Sequence, residues 1–95
     1  MDQKKKEQVA RIVGARIAYY RTILNMTQKD LATALHISAS TLAKIEQGKY
    51  GNSMSLYHLL DLADIFGVSP SALFHTNEQD RELLHKLVNH TDDEA

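Results

Sequence analysis

Two helix start signals stand close together in this sequence, and they constrain its fold more than any other feature. Each is a residue, Thr27 or Ser38, whose hydroxyl can accept a hydrogen bond from the first turn of a helix. Apolar residues follow both at helical spacing: Leu31, Leu35, Leu42 and Ile45. Gly48 supplies a stop for the second. We therefore predict two short helices, 28–35 and 38–47, joined by a tight turn.

Hydrophobic periodicity predicts further helices before and after this pair. Residues from about 5 to 24 form one amphipathic pattern, with Asn25 as its stop. A fourth helix begins at Ser53 or Ser55 and ends at Gly67. Its predicted apolar face consists of Leu56, Leu59, Leu60, Ala63 and Phe66.

The remaining helices are short or lie at the end of the sequence. Pro70 suits the first position of a very short fifth helix, with Leu73 and Phe74 facing inward. Residues 77–89 form a further helical pattern, with Leu83, Leu84, Leu87 and Val88 on one stripe. No stretch alternates apolar and polar residues as a strand does. The prediction is an all-α domain of five helices with an additional C-terminal helix, followed by a polar tail at 91–95.

Charge is distributed unevenly along these 95 residues, whose length suits a single domain. Residues 1–50 hold nine Lys or Arg against four Asp or Glu, and residues 51–95 hold two against eight. A basic half suits a surface that faces phosphates, and an acidic half suits one turned away from them or toward a protein partner. The run Lys4–Lys6 adds weak phosphate attraction at most, because such runs are usually solvated.

Residue content argues against metal, cofactor and enzyme chemistry. The chain has no Cys, and its five His include no pair three or four residues apart on one predicted helix. It has no nucleophile motif and no Gly-rich phosphate loop. We therefore predict no bound metal, no cofactor and no enzyme activity. No apolar stretch approaches the length of a membrane span, so we expect a cytoplasmic protein without a membrane partner.

Residues 27–48 resemble the helix-turn-helix of the lambda-repressor-like, or Xre, family of bacterial and phage regulators, and the likeness extends over about 13–74. The matching buried positions are Leu31, Ala32, Leu35, Ile37, Leu42 and Ile45. The endings 45–49, Ile-Glu-Gln-Gly-Lys, and 66–69, Phe-Gly-Val-Ser, also match. This chain departs from the family at the turn, where His36 replaces Gly, and before the fourth helix, where Met54 replaces Pro. His36 is thus expected at positive φ.

The resemblance implies a DNA-binding domain over 1–76, and the helical wheel predicts which residues read bases. With Leu42 and Ile45 buried, the second motif helix turns four side chains toward the base edges: Ala39, Ser40, Thr41 and Lys44. Phosphate contacts are predicted for six residues around it: Gln28, Ser38, Gln47, Lys49, Tyr50 and Asn52. The resemblance also implies an ion pair between Arg21 and Glu46 that holds this helix without touching bases.

Together these observations predict a sequence-specific regulator of transcription that binds double-stranded operator DNA, with repression as the family's commoner habit. A homodimer is expected, because one motif buries little surface on DNA. The C-terminal helix within 77–90 is either its interface or a helix that folds back on the core. The alternative is an antitoxin-like or adaptor protein whose acidic C-terminal half binds another protein.

Overall fold

The first helix, α1, spans Gln3–Ile23 in a computed structural model that describes residues 2–49 and 54–74. Asp2 caps it by accepting a hydrogen bond from the Lys5 amide at 2.8 Å. The chain leaves the helix through Asn25, which has a positive φ of 57°. The predicted helix and its stop are confirmed, and the helix begins about one half-turn earlier than expected because Asp2 is its cap.

The predicted pair of short helices is present as α2, Gln28–Leu35, and α3, Ala39–Glu46. Thr27 and Ser38 are their N-caps, as the sequence indicates. Between them His36 adopts φ 59°, the left-handed conformation expected of it. The turn therefore forms with His in the place where Gly is better suited.

The second half of the described chain contains α4, Leu56–Phe66, capped by Ser55 and ended by Gly67 at φ 69°. The very short fifth helix is a 3₁₀ helix, Pro70–Leu73, so the described residues contain four α-helices rather than five. Four residues are too few for the repeated i to i−4 hydrogen bonds of an α-helix. No strand occurs in the described ranges.

The apolar face predicted for α4 was partly wrong. Leu62 is fully buried, whereas Leu56 is 67% exposed and Leu60 is 43% exposed. Ala63 and Phe66 are buried as predicted, and Leu59 packs against the core. Leu73 is likewise buried, but Phe74 is 48% exposed. The helix is therefore rotated so that a different stripe of leucines meets α1 and α2.

One hydrophobic core joins all five elements. Its fully buried large side chains are Ile17, Leu31, Leu42, Leu62 and Leu73. Burial of each contributes about 1.5–3 kcal/mol to stability. The rings of Tyr20 and Phe66 stack with their centroids 5.3 Å apart and join α1 to α4. No described helix is long and apolar enough to cross a membrane.

Several sequence predictions fall on residues outside the described ranges. These are the loop residues Tyr50 and Asn52, the C-terminal helix with its leucine stripe, and the polar tail. They stay predictions.

Candidate nucleic-acid interface

Helix α3 has one buried face and one face open to solvent. Leu42 and Ile45 lie in the core, as predicted. Ala39, Ser40 and Lys44 are exposed, and Thr41 is partly exposed. A helix of this diameter, about 10–12 Å with its side chains, matches the major groove of B-DNA, which is about 12 Å wide. The open face thus carries hydroxyl and ammonium groups at the spacing of one helical turn.

The hydroxyl of Ser38 is committed to α3 itself. It accepts a hydrogen bond from the Thr41 amide at 3.0 Å and donates one to Thr41 Oγ1 at 2.8 Å. Because Thr41 Oγ1 accepts this bond, its own hydrogen remains available to donate elsewhere. The arrangement fixes the rotamers of both side chains at the start of the helix.

The end of α3 is tied to α1 by a two-pronged ion pair. Arg21 Nε donates to Glu46 Oε2 at 2.7 Å, and Arg21 Nη2 donates to Oε1 at 3.2 Å. The third contact of the guanidinium runs from Nη1 to the carbonyl oxygen of Met26 at 2.8 Å. The predicted pair is therefore confirmed, and it also braces the segment between α1 and α2.

Charge within this ion pair is locally balanced. Hydrogen bonds to Glu46 raise the pKa of Arg21, against the opposing effect of burial, so the guanidinium stays charged. The Arg21 side chain is 17% exposed and that of Glu46 is 6% exposed. The Glu46 carboxylate, at the last residue of α3, would repel phosphates if it were unpaired, and its pairing with Arg21 offsets that charge.

Gln28 has a partner that the sequence did not indicate. Its Nε2 donates to Glu46 Oε1 at 2.9 Å, so the carboxylate accepts from both α1 and α2. The predicted phosphate contact of Gln28 stays a prediction; a side-chain amide has two N–H groups, and the second could serve it. No sequence spacing signals this bond, because the partners lie far apart along the chain.

Sequence reasoning also missed the role of Asp30 at the start of α2. Asp30 Oδ2 accepts from the Thr27 amide, and Thr27 Oγ1 accepts from the Asp30 amide, both at 3.0 Å. The signal was present, since an acidic residue three positions after Thr is a capping-box pattern. The hydrogen bonds from Thr27 lower the pKa of Asp30, so this helix start carries a negative charge.

The backbone beyond α3 turns sharply at Gly48, which has φ 77°. The Gly48 amide donates to the Ile45 carbonyl oxygen and the Lys49 amide donates to that of Lys44, each at 2.9 Å. These bonds hold the Lys49 backbone against the end of α3. Lys49 and Gln47 are both exposed, as a contact with phosphates requires.

Within the described ranges, no cluster of His, Asp or Glu could hold a metal ion. His58 instead belongs to the cap of α4, where its Nδ1 accepts from the Ser55 amide at 3.3 Å.

Two short helices joined by a tight turn, with an open polar face on the second, define a helix-turn-helix protein. A model of the helix-turn-helix family matches residues 17–73, and the chain belongs to this family, in its Xre-like form. A relative from Methanocaldococcus jannaschii, named an uncharacterized HTH-type transcriptional regulator, is 41% identical over 59 residues. The match covers 62% of this chain and 86% of the relative. No solved structure matches the chain at a significant level.

Proposed function

We propose that this protein is a sequence-specific regulator of transcription that inserts α3 into the major groove of double-stranded DNA. The observation that carries the proposal is the open face of α3, where Ser40, Thr41 and Lys44 can bond to base edges. Lys44 suits guanine O6 and N7, and the hydroxyls can donate or accept. The name of the archaeal relative is consistent with the proposal.

Phosphate contacts would set the position of the protein on the duplex. Gln47 and Lys49 are exposed where the chain leaves α3, and Gln28 lies at the start of α2. Ser38 is the other predicted phosphate residue of the described ranges. Its hydroxyl is already used by Thr41, so among these four it has the weakest case. These residues position the domain without reading the sequence.

Repression through a two-fold operator is the mode we propose. A protein bound at a promoter blocks the access of other proteins to that DNA, and it needs no contact with them to do so. A homodimer would place two α3 helices one DNA turn apart, about 34–36 Å, and would double a small interface.

Selection from a pool of random duplexes at two salt concentrations tests this function. The parent should enrich one motif with two-fold symmetry, and Ser40→Ala and Lys44→Ala should lose that enrichment. Lys5→Ala is the matched control, because it removes the same charge from the first turns of α1. If the parent enriches no sequence, or Lys5→Ala loses enrichment as Lys44→Ala does, readout by α3 is refuted.

A second candidate is an antitoxin-like or adaptor protein, and α4 is the observation that favours it. Leu56 and Tyr57 are largely exposed there, Leu60 is exposed, and Asp61 and Asp64 lie on the same helix. Exposed apolar side chains bordered by charge are typical of protein-binding surfaces. The salt series separates the two candidates, since affinity governed by phosphate contacts falls steeply as salt rises.

A further inference from the structure

Gly14 lies in the middle of α1, where glycine is unfavourable, and the structure supplies a reason for it. The residue is buried against the end of α3. A Cβ atom at Gly14 would lie 2.7 Å from the Glu46 carbonyl oxygen and 2.9 Å from its carbonyl carbon, and nearer still to the carbonyl oxygen of Ile45. All three are backbone atoms, so no change of rotamer can relieve the overlap.

Gly48 makes the reciprocal contact from the other chain segment. A Cβ there would lie 2.7 Å from Arg11 Cα and 2.8 Å from Arg11 N, both in the backbone of α1. The backbone of α1 and the end of α3 therefore touch at two points that only glycine permits. We call this pair, Gly14 and Gly48, the glycine contact.

We propose that Gly14 is a positioning residue for DNA recognition, because it determines how closely the end of α3 packs against α1; this inference rests on the proposed function. The glycine contact holds the same end of α3 that Arg21 and Gln28 hold through Glu46. Because α3 has only eight residues, a displacement at this end shifts its whole open face.

Such a shift would affect the two kinds of DNA contact differently. Hydrogen bonds to base edges weaken steeply when distance or angle changes, so base recognition by Ser40 and Lys44 depends on the position of α3 against α1. Phosphate contacts from flexible lysines tolerate small displacements, because the ammonium acts as a point charge on a long stem. Gly14→Ala should therefore reduce discrimination between sequences more than it reduces binding to DNA in general.

The test compares the parent, Gly14→Ala and Gly67→Ala. Each is measured for affinity to the duplex that the parent enriches and to a scrambled duplex of equal length, at one salt concentration. Gly67→Ala is the matched control: it introduces strain at φ 69°, yet its Cβ meets nothing within 4 Å. Circular dichroism establishes that each variant is folded.

Gly14→Ala should lose about tenfold or more in affinity for the enriched duplex, comparable to one mismatched base pair. Its affinity for the scrambled duplex should stay within about threefold of the parent, because phosphate contacts dominate there. Gly67→Ala should keep both affinities within that range. If Gly14→Ala does not fold, Gly48→Ala takes its place, with the same loss expected.

A folded Gly14→Ala that keeps the parent's ratio of specific to scrambled affinity would overturn this inference alone. The inference would also be overturned if Gly67→Ala lowered the ratio of specific to scrambled affinity as much as Gly14→Ala does. The loss of specificity would then result from general destabilisation of the domain. A parent that enriches no sequence would overturn the proposed function and this inference together.

Discussion

At the scale of single residues, the Glu46 side chain connects three of the helices. Its carboxylate accepts from Arg21 on α1 and from Gln28 on α2, while its own backbone belongs to α3. Glutamic acid is thus the residue that fixes the end of α3 with respect to both neighbouring helices. Of Arg21, Gln28 and Glu46, Glu46 is the residue with a negative charge, and that charge balances the guanidinium of Arg21.

Glu46→Gln should lower the free energy of unfolding by about 1–2 kcal/mol, because a largely buried guanidinium loses its charged partner and Gln28 loses a charged acceptor. Urea denaturation at neutral pH measures the change. Glu7→Gln is the matched control at an exposed position of α1, where the Glu7 carboxylate accepts a hydrogen bond from Gln3 at 3.3 Å; it should change stability by less than about 0.5 kcal/mol. Equal effects of the two variants would contradict this role of Glu46.

Asp30 makes stability depend on acid pH. Its pKa in the folded protein lies below the ordinary value of 3.8, so its ionised form favours folding above that value. The contribution is lost as pH falls through the lowered folded pKa. Asp30→Ala should therefore be less stable than the parent at pH 7, and the gap should narrow under strong acid. Urea titrations at pH 7 and in strong acid measure the difference in the free energy of unfolding between the parent and Asp30→Ala. A difference that grows in acid would contradict the predicted direction of the pH dependence.

At the scale of elements, capping residues predicted helix ends well and the helical wheel predicted faces less well. Thr27, Ser38 and Ser55 act locally, through hydrogen bonds within the first turn, so the sequence alone locates them. Which leucines of α4 are buried depends on where α1 and α2 lie. Leu62 lies on the face of α4 that packs into the core, whereas Leu60 lies on a face that is 43% exposed.

Leu62→Ala should therefore lower the free energy of unfolding by about 2–5 kcal/mol, since it leaves a cavity in the core. Leu60→Ala changes the same side chain on the same helix and should cost less than about 1 kcal/mol, because that site is 43% exposed. Thermal or urea unfolding of the two variants measures the difference. Similar losses would mean that α4 packs on the face first predicted from its sequence.

At the scale of the whole molecule, some features of the proposed interface could be predicted from the sequence and others could not. The ion pair of Arg21 and Glu46 was predicted because a family resemblance supplied both positions. The bond from Gln28 and the contact at Gly14 were not, because each joins residues that are distant in sequence and only the fold brings together. The readers on α3 and the phosphate residues around it stay predictions until DNA is bound.

The excess of basic residues in 1–50 bears on the function of the whole chain. Long-range attraction to phosphates brings a protein to DNA, and a small set of oriented donors then distinguishes sequences. We propose that α3 supplies those donors.

The most direct test measures the affinity of the parent, Ser40→Ala, Lys44→Ala and Lys49→Ala for every single-base-pair change of the enriched duplex. Loss of a reader should relax specificity at one or two positions, with a cost of about 1–3 kcal/mol on the original duplex. Lys49→Ala should weaken all duplexes uniformly and reduce the salt dependence. If Ser40→Ala and Lys44→Ala also weaken all duplexes uniformly, α3 does not read the sequence.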